Sequence, residues 1–516
     1  MYSKVNSCSV VGMNGIPTFV EADCSSGLPG FVMVGNLSSN IKESINRVKS
    51  AFKNSGIELP YTRVTINIYP ADLKKDGAGY DLPIALSILK SLDIINDDVD
   101  ISEYGFVGEM GLNGELVSVK GVLSMASAFK EKKFKGIVLP KDNEQEALVI
   151  EGLDVIGLSN ISDLIDMLSS KEKFNNFQRP KPLELKIQDN NYDVDFADVA
   201  GQVFLKRATE VAVAGNHNII FSGPAGTGKT MIAKRIPTIM PPLSRVEDIE
   251  ISKVYSIAGL LPKDRPLISK RPFRAPHHSI TVQSLIGGGV YPRPGEISLA
   301  SSGVLFLDEL PLFSRAAIET LREPLEDKNI TLTRLKGLYE FPANFMLVSG
   351  MNPCPCGFYP DRNKCKCTPT QIRQYQRGVS KPILDRIDIC AESSPVKFEE
   401  MTSKADAEKS AAIRERVIKA RKIQEERFKG EKPVKYNSGM NTKDIKKYCV
   451  LGKEEEEFLK KVFKTKKLSA RTYHKVLKVA RTIADLAGSS DIKIEHLSEA
   501  ASYRGLEERL FGGNTI

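Results

Sequence analysis

Apolar and polar positions alternate between strand-like and helix-like patterns along residues 1–168. Residues 64–69 form a β-type run that ends at Pro70, which predicts a strand and its stop. Residues 82–89 are almost continuously apolar, with a proline in the first turn, and predict a buried helix. Residues 136–140 predict a second short buried strand. Strands that alternate with helices indicate an α/β or α+β domain over this part of the chain.

The pattern breaks at residues 169–195, where polar residues and prolines replace the apolar periodicity. Proline disfavours a continuous helix, so this segment is predicted to be a linker that contains a domain boundary. An apolar-periodic helix then runs to Ala214 and opens a second α/β module, predicted over 196–395. Residues 396–516 are predicted to form a C-terminal helical region, with an amphipathic helix that runs through Leu486.

A phosphate-binding loop is predicted at residues 223–230, which match G-x-x-x-x-G-K-[ST] without a mismatch. A short apolar strand precedes the match and a helix-like segment follows it, as such a loop requires. The glycines let successive N–H groups face one anion, and the helix N-terminus adds partial positive charge. Lys229 would bind the β- and γ-phosphates, and the Thr230 hydroxyl would bind Mg²⁺. The predicted nucleotide contacts are Gly223, Pro224, Ala225, Gly226, Thr227, Gly228, Lys229 and Thr230. The alternative is a glycine-rich turn that matches by chance.

Two carboxylates follow the apolar strand predicted at residues 304–307. Asp308, at the carboxyl end of a buried strand, would bind the Mg²⁺ shell directly or through water. Glu309 would act as the general base that polarises the attacking water. Another buried strand, at 345–351, ends in the polar amide of Asn352. The alternatives are an acidic turn after a core strand and an asparagine that caps a turn before proline.

Composition narrows the class of protein without deciding its function. A chain of 516 residues exceeds what one core organises, so about two to four domains are expected. Its 41% hydrophobic and 27% charged residues are typical of a soluble globular protein. No apolar run is long enough to span a bilayer and no signal peptide pattern opens the chain, so a cytoplasmic location is expected. The net charge of +9 permits a nucleic-acid partner without requiring one.

The cysteines suggest a second bound ion. The chain has eight, and cytosolic cysteines are more often thiols or metal ligands than disulfides. Four of them share one short loop and predict a structural Zn²⁺ site, although C-x-C pairs are tighter than the usual C-x₂-C spacing. We call them the four-cysteine cluster: Cys354, Cys356, Cys365 and Cys367.

Three further segments between residues 274 and 341 allow structural predictions. The adjacent His277 and His278 are interpreted as loop-positioning residues, because adjacent side chains rarely converge on a metal and no carboxylate lies at ligand spacing. The glycine- and proline-rich stretch 287–295 is predicted to be irregular. Residues 331–341 predict a β-hairpin with glycine near its tip.

Several motifs together resemble one family. Along with the phosphate loop they are residues 274–278, 285–289, 294–300, 352–357 and 468–471. Residues 75–77 and 114–143 resemble the proteolytic domain of Lon proteases. This combination closely resembles the YifB/ComM group of magnesium-chelatase-like AAA+ proteins along essentially the whole chain. Lon proteases use a Ser–Lys dyad, but the matching positions here are Gly79 and Leu123, so the resemblance implies a Lon-like domain without protease chemistry that serves assembly or partner binding.

The resemblance implies an α/β AAA+ P-loop ATPase core with a helical lid, preceded by an inactive Lon-protease-like α+β domain. It implies an ATP- and Mg²⁺-dependent homohexameric ring. For ComM-type members it implies a helicase that migrates DNA branches during recombination of transforming DNA. Asn352 corresponds to sensor 1, which orients the attacking water. Arg386 corresponds to the arginine finger that reaches the γ-phosphate held by a neighbouring subunit, and Arg471 to the sensor 2 phosphate contact.

Other basic residues receive weaker roles from the same resemblance. Insertions of this group point into the pore of the ring, so Arg334 and Lys336 would track the phosphates of single-stranded or branched DNA and Tyr339 would stack a base. The alternative is an exposed hairpin with ordinary basic residues. For Arg386 the alternative is a surface arginine paired with Asp385 or Asp388. On the Arg471 helix the other basic residues are expected to be solvated: Lys475, Lys478 and Arg481.

Two rival functions come from other classes. One is an ATP-driven metal-insertion chaperone like the magnesium chelatase ATPase subunit, against which we count the Lon-like front domain that this subunit class lacks. The other is an ATP-dependent protease or a related remodelling factor, which Gly79 and Leu123 disfavour. Stimulation of ATP turnover by DNA separates the motor from the first rival, and casein degradation tests the second.

Overall fold

The computed structural model of this chain describes residues 2–75, 77, 79–95, 98–181, 192–262, 265–289, 292–334, 337–395, 407–430, 436–465 and 470–504. The predicted DNA contact Lys336 lies outside the described residues. Within these ranges no helix carries an apolar stretch long enough to cross a lipid bilayer.

A seven-stranded mixed sheet organises the N-terminal part of the chain. The strands in this part of the chain, two of them outside the sheet, are β1 (Tyr2–Val11), β2 (Asn14–Ser25), β3 (Gly30–Val34), β4 (Arg63–Tyr69), β5 (Tyr104–Phe106), β6 (Glu109–Met110), β7 (Leu116–Val117), β8 (Gly136–Pro140) and β9 (Asp154–Leu158). The sheet runs β3-β4-β2-β1-β5-β8-β9, while β6 and β7 pair with each other. The pairs β1–β2 and β2–β4 are antiparallel, and the remaining neighbours in the sheet are parallel.

Helices cover this sheet. They are α1 (Ser39–Asn54), α2 (Asp81–Ser91), α3 (Val122–Glu131), α4 (Glu144–Ala147), α5 (Ile161–Leu168) and α6 (Lys171–Asn176). The predicted strands at 64–69 and 136–140 and the predicted helix at 82–89 are confirmed as β4, β8 and α2. Helix α6 lies inside the segment predicted as a linker, because the Ser170 side chain caps it and the prolines come only after it ends.

The second sheet is parallel, as expected for an α/β ATPase core. Its strands are β10 (Ile219–Ser222), β11 (Phe273–Arg274), β14 (Val304–Leu307), β17 (Met346–Met351) and β18 (Ile389–Glu392), in the order β11-β14-β17-β10-β18. Two ribbons stand outside it, β12 (Gly287–Gly288) with β13 (Arg293–Pro294) and β15 (Asn329–Arg334) with β16 (Gly337–Pro342). Parallel strands place their carboxyl ends at one edge, so the segments that follow β10, β14 and β17 meet there.

Helices flank the parallel sheet. They are α7 (Val203–Gly215), α8 (Lys229–Ile239), α9 (Arg245–Ala258), α10 (Val282–Ile286), α11 (Glu296–Leu299), α12 (Arg315–Glu319), α13 (Arg322–Asp327), α14 (Pro369–Gln376) and α15 (Lys381–Leu384). The hairpin predicted at 331–341 is confirmed as β15–β16, with Gly337 in its turn region. The prediction of an irregular stretch at 287–295 was wrong for four of its residues: Gly287 and Gly288 pair with Pro294 and Arg293 in a short ribbon, where glycine tolerates the positive φ angles. The other described residues of this stretch belong to no helix or strand.

The C-terminal region predicted as a lid is mostly helical over its described residues, 407–430, 436–465 and 470–504. Its helices are α16 (Ser410–Arg427), α17 (Thr442–Tyr448), α18 (Lys453–Thr465), α19 (Ala470–Leu486) and α20 (Ile494–Ser502). One continuous apolar cluster contains Val211 of α7, Ile236 of α8, Val417 of α16 and Ile483 of α19, so the lid packs directly on the ATPase core.

The prediction that the basic residues of α19 are solvated was wrong. Lys475 is 8% exposed and donates to the carbonyl oxygens of Leu384 at 3.1 Å and Ile387 at 2.9 Å. Lys478 donates to a carbonyl of the lid, and Arg481 is buried against Asp485. Helix α15 ends at Leu384, and the buried ammonium adds a further hydrogen bond to two carbonyls beyond it: that of Leu384, which also accepts from the Ile387 N–H, and that of Ile387, which also accepts from Arg504.

Candidate nucleotide-binding site

The predicted phosphate loop connects β10 to α8 at the carboxyl edge of the parallel sheet. Gly226 and Gly228 take φ angles of +75° and +87°, which side chains with a Cβ rarely adopt. Helix α8 begins at Lys229, so its unpaired N–H groups and positive dipole end face the loop. These features form an anion-binding cradle at the position that the sequence motif predicted.

Lys229 lies inside this cradle. Its Nζ donates to the carbonyl oxygens of Gly223 at 2.7 Å and Pro224 at 2.8 Å, and to Asn352 Oδ1 at 3.2 Å. Burial lowers the pKa of the Lys229 ammonium, and the nearby carboxylates of Asp308 and Glu309 offset this only in part. A polyphosphate in the cradle would favour the charged form of Lys229.

Thr230 and Asp308 meet across the site. Thr230 Oγ1 donates to Asp308 Oδ2 at 2.7 Å, although the two residues are 78 positions apart in the chain. The other carboxylate oxygen of Asp308 accepts the backbone N–H of Glu309 at 3.0 Å. A hydroxyl and a carboxylate oxygen beside a phosphate cradle are the oxygen ligands that Mg²⁺ takes in nucleotide sites. The pair therefore fits a magnesium ion.

Glu309 extends into the same site from a strained backbone. Its φ angle is +54° and its side chain is 50% exposed. His278 Nδ1 lies 3.8 Å from Glu309 Oε2, and the rings of His277 and His278 lie side by side with centroids 4.0 Å apart. No carboxylate lies at ligand spacing from these histidines in the sequence, but the fold brings Glu309 close to His278. The interpretation of His278 as a positioning residue fits this contact.

One pocket unites the predicted groups. Its lining residues are Ala225, Gly226, Thr227, Gly228, Lys229, Thr230, Met231, Asp308, Glu309, Met351 and Asn352. Sequence reasoning did not single out Ser393, which lies at the end of β18 and whose Oγ is 2.7 Å from Thr227 Oγ1. No local motif surrounds Ser393, so only the strand order places it beside the phosphate loop.

Arg386 and Arg471 do not line that pocket. Arg386 donates to the carbonyl of Pro382 at 2.7 Å and pairs with Glu326 on α13. The alternative pairing of Arg386 with Asp385 or Asp388 was wrong. Asp385 accepts from Arg471 Nη1 at 2.5 Å, and the carboxylate of Asp388 lies 2.9 Å from His217 Nδ1.

Comparisons with known proteins bear on the whole chain. Three family sequence models match the chain. The model described as magnesium chelatase, subunit ChlI matches residues 195–401, and the one described as subunit ChlI of Mg-chelatase matches residues 20–143. The model described as the C-terminal part of magnesium chelatase subunit ChlI matches residues 407–504. The chain is 38% identical over 512 residues to Competence protein ComM of Haemophilus influenzae, with 97% of each chain covered. It is 40% identical over 510 residues to the uncharacterized protein YifB of Escherichia coli K12, with 98% of each covered.

The chain belongs to the YifB/ComM family of magnesium-chelatase-like AAA+ proteins. The expected fold, an AAA+ core preceded by a Lon-like region, is confirmed. Membership in this YifB/ComM family indicates an ATPase.

The Lon-like region of this YifB/ComM protein is similar to the Lon protease of Mycolicibacterium smegmatis, with 27% identity over 170 residues, which are 30% of this chain and 21% of that protease. At the predicted dyad positions, Gly79 has no side chain and Leu123 is fully buried. The nearby Lys120 lies against Gly259 of the ATPase core, where an added Cβ would approach its Cε to 2.6 Å. Lys253 of α9 also donates to Ser127 of α3 at 2.7 Å. This face of the front domain is therefore occupied by a domain contact.

The hairpin that this family suggests for DNA presents Arg334 at its exposed end. Arg334 also reaches the glycine ribbon, since a Cβ built on Gly288 would lie 3.2 Å from its Nη2. Tyr339 is only half-exposed and packs against the ATPase core, whereas its neighbour Leu338 is 55% exposed. Of the described candidates, Arg334 is the more accessible one.

The four-cysteine cluster lies in the loop between β17 and α14. All four Sγ atoms lie within 4.8 Å of one another, so the cluster is able to hold a metal ion. Its members do not line the nucleotide pocket, although Asn352 begins the same loop.

Proposed function

We propose that this protein is an ATP-hydrolysing, homohexameric DNA motor, a ComM-like helicase that promotes branch migration during recombination of transforming DNA. The observation that carries the ATPase part is the convergence of Lys229, the Thr230–Asp308 pair, Glu309 and Asn352 on one pocket. The DNA part rests on the full-length similarity to a competence protein and on the exposed Arg334 hairpin.

Each pocket residue has its own role in the proposed hydrolysis of ATP. Lys229 exchanges its carbonyl partners for the β- and γ-phosphates of ATP. Thr230 and Asp308 would hold Mg²⁺, which when bound would neutralise negative charge on the phosphates. Glu309 accepts a proton from the attacking water, which bonds to the γ-phosphorus while the bond to the leaving ADP oxygen breaks. Asn352 orients that water.

Two arginines complete the proposed site from a neighbouring subunit. Arg386 would stabilise charge on the γ-phosphoryl group of the neighbour's ATP. Because Arg471 pairs with Asp385, the residue adjacent to Arg386, we assign both arginines to the same subunit interface. A head-to-tail interface of this kind closes into a ring. We divide the subunit into a front domain (1–168), a linker (169–195), an ATPase core (196–395) and a lid (396–516).

DNA would pass along the hairpin side of the ring. We assign phosphate contacts to Arg334 and Lys336 and a stacking contact to Tyr339. The net charge of +9 suits such an anionic partner.

The second candidate is an ATP-driven metal-insertion factor of the magnesium chelatase type. The observation that favours it is that all three matching family descriptions refer to that enzyme's ChlI subunit, including the model that covers residues 20–143 of the front domain. The presence of the front domain is therefore no longer an argument against this alternative.

DNA should stimulate ATP turnover by the full chain. We would measure ATPase rates without DNA, with single-stranded DNA and with forked DNA, each at low and moderate salt, beside a Lys229→Ala variant. A strong increase that fades with salt and is missing in the variant supports the motor, because phosphate contacts are salt-sensitive. A rate that ignores DNA at both salt concentrations contradicts the motor and favours the metal-insertion alternative.

Replacing Arg334 by alanine should weaken single-stranded DNA binding at low salt and flatten its salt dependence. Each lost phosphate contact lowers the slope of log K against log salt by about 0.7 on single strands. The matched control is Lys42→Ala, which removes an exposed charge from α1 in the front domain. Equal salt slopes for the two variants would remove Arg334 from the DNA interface, while unstimulated ATPase activity reports that the fold is intact.

A further inference from the structure

The sulfur atoms of the four-cysteine cluster are spaced for a tetrahedral metal. A Zn–S bond of about 2.3 Å places the corners of a regular ZnS₄ tetrahedron about 3.8 Å apart. Cys354 Sγ lies 3.4 Å from Cys356 Sγ and 3.8 Å from Cys365 Sγ, and the Sγ atoms of Cys356 and Cys365 are 3.6 Å apart. Cys367 Sγ also lies within 4.8 Å of each. These separations far exceed a disulfide bond of about 2.05 Å.

The loop that carries the cluster has little else to hold it. Residues 352–368 contain no helix or strand, and the apolar cluster beneath them is built around Cys354, Cys365 and Ile372 with Tyr359 and Cys367 at its edge. Three of these five side chains are thiols. A loop of this length without its own core needs a cross-link to hold one conformation. A structural metal ion provides such a cross-link and supplies folding free energy when its ligands come together around it.

The same loop adjoins the nucleotide pocket at two places. Asn352, whose Oδ1 accepts from Lys229 Nζ at 3.2 Å, stands two residues before Cys354. Gly357 lies over the phosphate loop, since a Cβ built on it would lie 3.7 Å from the backbone nitrogen of Ala225. Helix α14 fixes the loop from its other side, because Gln376 Nε2 donates to the carbonyl of Pro353 at 3.1 Å.

We infer that the four-cysteine cluster binds one Zn²⁺ per chain and that the metal-bound loop is a brace that holds Asn352 and the phosphate loop in their nucleotide-binding arrangement. On binding, the four thiols release their protons to solvent and the four thiolates coordinate the ion. The effect on nucleotide binding rests on the proposed ATP site, whereas the metal site itself does not.

The full chain, purified without added metal, should contain one zinc per chain by elemental analysis. After removal of the zinc and reconstitution with Co²⁺, the protein should show the intense visible absorption of tetrahedral cobalt thiolate. The Cys365→Ser, Cys367→Ser double variant should lose both signals. The matched control is Cys24→Ser in the front domain, which should retain them.

Binding of a fluorescent ATP analogue then tests the brace. If loss of the metal lowers the fraction of chains with a formed site to about a tenth, the apparent Kd rises about tenfold. If the purified wild-type protein contains no zinc and also does not bind Co²⁺ tetrahedrally, the proposed metal site is wrong, whatever the variants do. Unchanged analogue affinity in folded, zinc-free protein overturns the brace. Failure of the ATP site itself is distinguishable, because zinc-loaded wild type would then bind the metal but no analogue.

Discussion

Replacing Glu309 by glutamine is expected to lower the rate of ATP hydrolysis about 10²- to 10⁴-fold while ATP binding persists. Glutamine keeps the size of the side chain and loses the carboxylate that takes a proton from water. Glu309 lines the pocket without a hydrogen bond to Lys229 or Thr230, so the groups proposed to hold the phosphates and Mg²⁺ stay in place.

The measurement pairs steady-state ATPase rates with the Kd of a fluorescent ATP analogue. Lys229→Ala should lose the binding itself, because the ammonium is the cation placed inside the phosphate cradle. Glu425→Gln, on an exposed part of α16 in the lid, is the neutral control and should change neither quantity. A Glu309→Gln variant that hydrolyses ATP at the wild-type rate would remove Glu309 from the role of general base.

Local motifs made the centre of the site predictable. The phosphate loop needs its glycines, its lysine and its hydroxyl within residues 223–230, so one window of sequence contains the whole cradle. Asp308 and Asn352 each follow an apolar strand, and parallel strands bring their carboxyl ends to one edge. The Thr230–Asp308 hydrogen bond joins two separately predicted residues.

The surroundings of the site depend on pairings that span long stretches of chain. Glu326 is 60 residues from Arg386, and Lys475 is 91 residues from the Leu384 carbonyl that it contacts. Amphipathic periodicity predicts that a lysine faces solvent, whereas the structure buries Lys475 against the carbonyls of Leu384 and Ile387. His278 approaches Glu309 only because β11 and β14 are neighbours, which no sequence spacing reveals.

Arg386 is held by its own subunit on several sides. The backbone carbonyl of Arg386 accepts from Asn218 Nδ2 at 2.8 Å, while Lys475 of the lid donates to the carbonyls of Leu384 and Ile387. Its guanidinium pairs with Glu326, whose side chain is 60% exposed and which lies on α13 immediately before the β15–β16 hairpin. A partner phosphate at the subunit interface would compete with that exposed carboxylate for the arginine.

Replacing Arg386 by alanine is therefore expected to lower ATP turnover about 10³- to 10⁵-fold, the effect of losing an arginine finger. The decisive measurement mixes Arg386→Ala subunits with Lys229→Ala subunits. Each variant alone lacks one half of every site, but a mixed interface combines an intact phosphate loop with a neighbour's intact Arg386. Random equal mixing in a ring with head-to-tail interfaces makes about a quarter of the sites complete, so about a quarter of the wild-type rate should return.

The mixing control uses a Lys229→Ala, Arg386→Ala double variant, which has no arginine to supply and should restore nothing. Only folded, assembled subunits are able to restore activity, so recovery excludes the explanation that Arg386→Ala merely unfolds the chain. If both single variants assemble into mixed rings and no activity returns, Arg386 does not act across the interface, and its pairing with Glu326 is then a structural contact within one subunit. If activity returns, the ring is the unit of catalysis. The lid residues that hydrogen-bond to the Arg386 segment then connect the nucleotide state of one subunit to the ATP turnover of its neighbour.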